Sequence, residues 1–103
     1  MSGLMIVQSQ PTSPETVADF HRWYDEVHIP EILGVDGIAA ARRFESLDGG
    51  SFVAVYEIEG DVDVAKANLA AAQGSGAMSR PVGVNLDPPP TVQWFATIDG
   101  AGR

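Results

Sequence analysis

The sequence predicts a single α+β domain over residues 1–103, in which four strands and two helices follow one another in the order β-α-β-β-α-β. The chain has 103 residues, enough for one hydrophobic core but too few for a separate cofactor domain. Hydrophobic residues make up 45% of the chain, an ordinary share for a globular protein. Glycine and proline clusters divide it into short apolar runs and two helical segments.

The limits of the first strand and the first helix are predicted from proline and capping residues in the sequence. Residues 4–7 are an apolar run typical of a strand, and a proline-containing break follows it. Residues 13–15, Ser-Pro-Glu, indicate a helix start, because serine caps free N–H groups, proline suits the first turn and a carboxylate favours the positive end of the helix dipole. Pro30 disfavours helical geometry in the residue before it, so we expect the helix to end at Val27 or Ile29.

The second half of the chain supplies a strand, a hairpin turn, a strand, a helix, a long loop and a last strand, at residues 37–47, 48–50, 52–56, 61–73, 74–90 and 91–98. The order is that of a ferredoxin-like split βαβ sandwich, a four-stranded antiparallel sheet with two helices on one face. Residues 52–56 are apolar without alternation, which indicates that both faces of this strand are covered. A second copy of the sheet is the simplest cover, so we predict a homodimer.

Composition excludes several classes of function. The chain has no cysteine, which excludes disulfides, thiolate zinc sites, iron–sulfur ligation and a cysteine nucleophile. Its formal net charge of −8 disfavours nucleic acid and anionic membranes as partners. No apolar run is long enough to span a bilayer, and the first residues lack the features of a signal peptide. We therefore expect a cytoplasmic protein that binds neither nucleic acid nor membrane.

The run of residues 23–30, Trp-Tyr-Asp-Glu-Val-His-Ile-Pro, is the best candidate for catalytic chemistry. Helical periodicity places its aromatic residues on a core-facing stripe and His28 on the shoulder of that stripe. His28 can exchange a proton near neutral pH, and Asp25, three residues earlier, can accept a hydrogen bond that orients it. Tyr24 can stabilise a developing enolate. A helix-capping histidine, a solvated carboxylate and a core aromatic are the corresponding structural alternatives.

Further residues are candidates for substrate contacts. Arg42 and Arg43 point to opposite faces of their strand, so one of them faces covered space and needs an acidic partner, with Glu57 and Glu59 nearest, or an anionic ligand. The other predicted substrate-binding residues are His21, Trp23, Tyr56, Trp94 and Asn85. For the aromatic residues the alternative is core packing, and for the loop residue it is solvent exposure. His21 lies roughly 10 Å from His28 along a helix, too far for both to bind one metal ion directly, so we predict no metal site.

The strings at residues 20–31, 37–38 and 41–44 resemble the EthD-like branch of the dimeric α/β-barrel superfamily. The resemblance implies a dimer whose two sheets form a barrel, with a small-molecule pocket between sheet and helices in each subunit. The residues that match the family pattern are Trp23, Tyr24, His28 and one of the two arginines Arg42 and Arg43. The wider superfamily includes cofactor-free monooxygenases, polyketide cyclases, muconolactone isomerases and haem enzymes, so the fold alone does not select a function.

The leading hypothesis is a cofactor-independent acid/base enzyme of the cyclase, isomerase, lyase or dehydratase type. Its substrate would be a small, hydrophobic, aromatic or polyketide-like carbonyl compound, with His28 as base or acid, Asp25 as its orienting group and a tyrosine as hydrogen-bond donor. One alternative is a non-catalytic small-molecule-binding or accessory protein of a metabolic pathway, and another is a cofactor-free monooxygenase. Haem binding through His28 is least favoured, because few basic residues are present to neutralise the propionates.

Overall fold

The computed structural model describes residues 2–98. Its strands and α-helices are β1 (Gly3–Ser9), α1 (Val17–Trp23), α2 (Ile29–Leu33), β2 (Ile38–Glu45), β3 (Phe52–Ile58), α3 (Val62–Gly74) and β4 (Thr91–Ala96). A 3-10 turn (Pro14–Thr16) precedes α1, and a π-helical turn (Tyr24–His28) joins α1 to α2. The strands form one antiparallel sheet in the order β2-β3-β1-β4. This architecture confirms the predicted ferredoxin-like sandwich.

The helices cover one face of the sheet, and the core lies between them. Met5 of β1 is paired with Tyr56 of β3 on one side and with Trp94 of β4 on the other, so these three side chains share the helix-facing side. Phe20 of α1 and Tyr56 are fully buried. Burial of one such side chain contributes roughly 1.5–3 kcal/mol to folding, so this layer supplies a large part of the stability of a small domain.

The opposite face of the sheet carries an apolar patch, with polar side chains such as Arg42 and Glu57 around it. Register places Val53 and Phe44 side by side, and Val55 beside Ile6. Phe44 and Phe95 remain 45% exposed, and the valines of β3 are half-buried. The predicted absence of alternation in β3 therefore corresponds to an apolar outer face that no other part of residues 2–98 covers.

The predicted end of the first helix before Pro30 is wrong, because the helical segment 17–33 continues through this proline. The N–H of Ile29 donates to the carbonyl of Tyr24, five residues back, and Ile29 itself is helical with φ −61° and ψ −47°. A π-helical turn shifts the bonding register by one residue, and Pro30, which has no N–H, follows directly on that shift. The missing donor thus falls where the regular pattern is already interrupted.

The long loop after α3 is held against the start of the chain. The N–H of Asn85 donates to the carbonyl of Gln10 over 2.8 Å, and the N–H of Thr12 donates to the carbonyl of Gly83 over 2.9 Å. Gly83 has φ +73°, and a Cβ there would lie 3.2 Å from the backbone nitrogen of Phe20. Glycine is therefore needed for the loop to approach the helix this closely. Within residues 2–98, no helix has the length and apolar character needed to cross a membrane.

Candidate active site

A cavity of about 340 Å³ lies between the helix-facing side of the sheet, the helical segment 17–33, α3 and the long loop. Most of its sixteen lining residues are apolar. The lining side chains that carry a nitrogen or an oxygen are Trp23, Tyr24, His28, Lys66, Gln73 and Trp94. An apolar cavity with a few converging polar groups is the usual form of a small-molecule site.

Three of the predicted site residues meet at this cavity as one aromatic cluster. The rings of Trp23 and His28 are stacked, with centroids 4.4 Å apart and planes inclined by 17°. Tyr24 meets the His28 ring edge-on at 5.3 Å. The π-helical turn carries Tyr24 and His28 at its two ends, one wide turn apart, which allows both to contact Trp23 from the same side of the helix.

The environment of His28 favours its neutral form. Burial lowers the pKa of His28 below the ordinary histidine value, and the nearby Glu31 carboxylate acts in the opposite direction. Nδ1 of His28 is buried and has no hydrogen-bond partner among residues 2–98. A neutral imidazole carries one proton, so its other nitrogen has a free lone pair. His28 is therefore in the form that a general base needs at neutral pH.

Tyr24 offers a protonated phenol beside that base. Its hydroxyl is hydrogen-bonded to the Ser9 hydroxyl over 2.8 Å. Burial raises the pKa of Tyr24, while the Ser9 hydrogen bond and the Arg43 charge oppose that rise. The group therefore remains a hydrogen-bond donor at neutral pH. Nε1 of Trp23 is a second buried group without a partner in the described part of the chain.

The predicted hydrogen bond from His28 to Asp25 does not form at Nδ1. The Asp25 carboxylate instead accepts a hydrogen bond from Nη1 of Arg43 over 3.2 Å, and it remains 62% exposed. It lies on the side of the helix that faces the edge strand β2, and Glu31 is the carboxylate whose charge acts on His28. The expectation that Glu57 or Glu59 pairs with the covered arginine is also wrong, because Arg43 pairs with Asp25.

The two arginines lie on opposite faces of β2, as predicted, and neither lines the cavity. Arg43 is the covered one, with its guanidinium 4.6 Å from the Tyr24 ring centroid and 5.5 Å from that of Phe20. It borders a shallow depression of about 180 Å³, the Arg43 depression, lined by His21, Arg43, Phe44, Glu45 and Phe52. Arg42 lies on the outer face, 5.2 Å over the Phe44 ring.

Three other predicted substrate contacts lie outside the cavity lining. His21 meets the Phe52 ring edge-on at 4.9 Å, in the Arg43 depression. Tyr56 is fully buried, its hydroxyl has no partner among residues 2–98, and burial raises its pKa far above the ordinary tyrosine value. The Asn85 side chain accepts a hydrogen bond from the N–H of Asp87 and so closes a turn within the loop.

Sequence reasoning missed the part of the cavity that α3 contributes. Lys66, Leu69, Ala70 and Gln73 line it at helical positions i, i+3, i+4 and i+7. The helix begins at Asp61, whose carboxylate accepts hydrogen bonds from two backbone N–H groups, at 2.8 and 3.3 Å. The signal available in the sequence was helical periodicity counted from the apolar Leu69, which places residues 66, 70 and 73 on the same face.

The ligand groups of a metal site are not brought together within residues 2–98. No cluster of three or more histidine, aspartate or glutamate side chains with suitable spacing occurs there. His21 and His28 are separated by the cluster of Phe20, Trp23 and Tyr24, which packs between them.

Solved structures with this architecture include Rv0793 from Mycobacterium tuberculosis, which is 20% identical with a TM-score of 0.62 over 99% of this chain and 100% of that one. The chain has the ferredoxin-like fold. A monooxygenase from the gene ActVA-Orf6 of Streptomyces coelicolor, solved in complex with nanaomycin D, is 19% identical with a TM-score of 0.62 and covers 95% of this chain and 89% of its own. At these identities the likeness shows the fold alone, and the EthD-like branch stays a prediction.

Neither a scan against protein-family models nor a search of curated proteins finds a match to the chain.

Proposed function

We propose that this protein is an enzyme that removes a proton from a small aromatic or polyketide-like carbonyl compound held in the cavity. His28 is the general base, and Tyr24 donates a hydrogen bond to the developing enolate oxygen. The observation that carries the proposal is a half-buried, neutral imidazole stacked on Trp23 beside a phenol at the wall of an apolar cavity, with a buried Nδ1 that has no partner among residues 2–98.

The shape of the cavity favours a flat substrate. Its volume of about 340 Å³ lies at the lower end of the range for small-molecule sites, which suits two or three fused rings. Trp23 and Trp94 provide aromatic surface on two of its walls. The complex of the Streptomyces coelicolor monooxygenase with nanaomycin D adds support, because it is a case in which this fold holds a small organic molecule.

The proposed step is a proton abstraction next to a carbonyl group. In the tautomer that carries its proton on the buried Nδ1, Nε2 of His28 has the free lone pair and takes the proton from the carbon. The electron pair of the broken C–H bond forms a C=C bond, and the carbonyl electrons move onto oxygen, where the Tyr24 hydroxyl stabilises the charge. Return of the proton from His28 to a different atom completes an isomerisation. In a dehydration, His28 instead gives the proton to a hydroxyl on the adjacent β carbon, which leaves as water.

Monooxygenation is a second candidate, which the likeness to the Streptomyces coelicolor monooxygenase favours. The same enolate or an ionised phenol would reduce dioxygen, the required co-substrate. A methylene carbon would become a carbonyl, with one oxygen atom entering the product and the other leaving as water with both hydrogens. His28 would have the same role in both reactions, so the first step does not distinguish them.

Anthrone tests the proposal, because it is a flat three-ring ketone with an acidic methylene group. We expect the protein to accelerate deuterium incorporation at that carbon in D₂O under argon, as measured by proton NMR. His28→Gln is expected to lose about 100-fold or more of this acceleration, the usual contribution of a general base. His21→Gln, on the same helix but outside the cavity, is the matched control.

The same probe separates the candidates. Formation of anthraquinone with consumption of dioxygen, dependent on His28, would identify the monooxygenase. Quenching of the fluorescence of the two tryptophans by anthrone, with exchange no faster than in buffer, would identify a non-catalytic binding protein and overturn the catalytic proposal. Trp23 and Trp94 are the only tryptophans in the chain and both line the cavity, so their emission reports directly on its occupancy.

We propose further that the protein is a homodimer whose two sheets pack face to face. The support is the apolar outer face formed by Leu4, Ile6, Phe44, Val53, Val55 and Phe95. Val55→Lys places a charge at the centre of that face and is expected to yield monomers in light scattering after gel filtration. Val64→Lys, a matched change on α3 at a side chain that is 56% exposed, is expected to leave the dimer intact. A monomeric wild-type protein would refute the dimer.

A further inference from the structure

The cavity has the opposite charge to the rest of the molecule. The chain carries fourteen acidic and six basic residues. Within residues 2–98, the cavity lining nevertheless contains a single charged side chain, that of Lys66. No aspartate or glutamate lines the cavity there, and burial favours the neutral form of His28. An excess of positive charge in an apolar cavity raises the local concentration of anions, even when the protein as a whole repels them.

Lys66 lines the cavity, and the residue as a whole is exposed to solvent. Its Nζ lies 5.9 Å from the ring centroid of Trp94, at the outer limit of a cation–π contact. No carboxylate of residues 2–98 forms an ion pair with it, and the same holds for Arg42 and Arg80, whereas Arg22 and Arg43 are paired. What distinguishes Lys66 is its place in the cavity lining. Lys66 is therefore a solvent-exposed cation that lines the cavity beside the Trp94 ring and forms no ion pair within residues 2–98.

The cavity-facing stripe of α3 carries a second polar side chain at a fixed distance from Lys66. Lys66 and Gln73 stand at its two ends, about 10 Å apart along the helix axis, because each residue adds about 1.5 Å. Leu69 and Ala70 lie between them. The stripe is thus polar, then apolar, then polar, which matches a flat ring system with oxygen atoms near both ends.

We infer that Lys66 determines specificity by binding an anionic oxygen of the substrate, a carboxylate or an ionised phenol. The ring system then lies along Leu69 and Ala70 and against Trp94, with Gln73 hydrogen-bonding a second polar group at the far end. This inference rests on the proposed function, because it names the class of aromatic compound that the cavity takes.

Two ring-matched probes test the inference: 2-naphthoate, which is anionic, and 2-naphthamide, which is neutral and of the same size. Affinities are measured by titration calorimetry at pH 7.5. The two tryptophan indole N–H signals in ¹H–¹⁵N spectra show whether each probe enters the cavity. We expect the wild-type protein to bind the naphthoate about fivefold more tightly, a preference in line with one partly exposed ion pair.

Substitutions assign the preference to Lys66. Lys66→Met is expected to abolish it while leaving 2-naphthamide affinity within about twofold, and Lys66→Arg is expected to retain it. Arg22→Met removes the same charge from a side chain that is 65% exposed, and it should keep the preference. Circular dichroism verifies that each variant is folded.

The outcomes separate this inference from the proposal on which it rests. Equal affinity for the two probes in the wild type, or a preference that survives Lys66→Met, would overturn the role of Lys66 while leaving the cavity as a binding site. If neither probe shifts the indole signals or binds in calorimetry, both the inference and the proposed aromatic site fail.

Discussion

The helical segment 17–33 covers two regions that are built in opposite ways. Around His28 the walls are apolar, a cavity of about 340 Å³ is open, and buried polar atoms of Trp23 and His28 lack partners within residues 2–98. Around Arg43 the charged and aromatic groups satisfy one another through an ion pair and two cation–π contacts. Unsatisfied groups beside empty volume indicate a place for a ligand, and satisfied groups indicate structural support.

Two histidines show how a small change in backbone geometry produces this difference. His21 and His28 are seven residues apart and would share a face of a regular helix. The π-helical turn, which begins at Tyr24, lies between them and turns less per residue. His28 therefore faces the cavity beneath α3, while His21 packs against Phe52 of β3.

The largest difference in activity is expected between variants that lack the hydroxyl of one or the other buried tyrosine. Tyr24→Phe removes the proposed donor to the enolate, so we expect anthrone exchange to slow by about 100-fold, the effect of losing one such donor. Tyr56→Phe removes a hydroxyl that has no partner in the described part of the chain, and it should change the rate by less than about twofold. Equal losses in both variants would show that the effect is structural.

The contacts of the Arg43 side chain are expected to stabilise the fold. Arg43→Met removes an ion pair and two aromatic contacts from a side chain only 17% exposed, and we expect a loss of about 2 kcal/mol in urea unfolding. Arg22→Met breaks the exposed pair with Asp19, whose atoms lie 3.5 Å apart, and should cost less than about 0.5 kcal/mol. A destabilisation no larger for Arg43 than for Arg22 would contradict this assignment.

Acidification is expected to lower the unfolding free energy through His28. Because burial lowers the pKa of His28 in the folded state, the unfolded chain binds this proton more readily. The unfolding free energy should therefore decline as pH falls from about 6.5, the ordinary histidine value, and level off below the folded-state pKa. Glu31 opposes the shift, and Tyr24 and Lys66 are the other titratable groups at the cavity.

The contribution of His28 to this pH dependence is the difference between wild type and His28→Gln. Urea unfolding at several pH values should show a smaller decline in the variant. An identical decline in both proteins would show that His28 does not carry it. An NMR titration of the His28 ring gives the folded-state pKa directly, and a value above 6.5 would contradict the neutral imidazole.

The smallest effect is expected at Asp25. Its carboxylate is 62% exposed and pairs with Arg43, so Asp25→Asn should change the unfolding free energy by less than about 1 kcal/mol and leave anthrone exchange nearly as in the wild type. A rate loss of about tenfold or more, of the size seen when an orienting partner is removed, would restore the role predicted for Asp25 from the sequence.

Much of the fold was predictable from local signals, whereas the site was predictable only in part. Breaker residues and apolar runs identified every strand and both helical regions, and the helix periodicity brought Trp23, Tyr24 and His28 together. The continuation of the helix through Pro30 was not predictable, because it depends on a local change of hydrogen-bond register. The contribution of α3 to the cavity depends on how that helix is rotated over the sheet.

The sequence by itself determined the order of elements, the apolar residues on both faces of the central strand β3 and the aromatic cluster around His28. These features follow from short-range chemistry: capping, turn formation and periodic burial. Only the tertiary structure decided that Asp25 pairs with Arg43 and not with His28, and that Lys66 lines the cavity. Such pairings join residues distant in sequence, and their geometry is set by the packing of helices on the sheet, which no local pattern encodes.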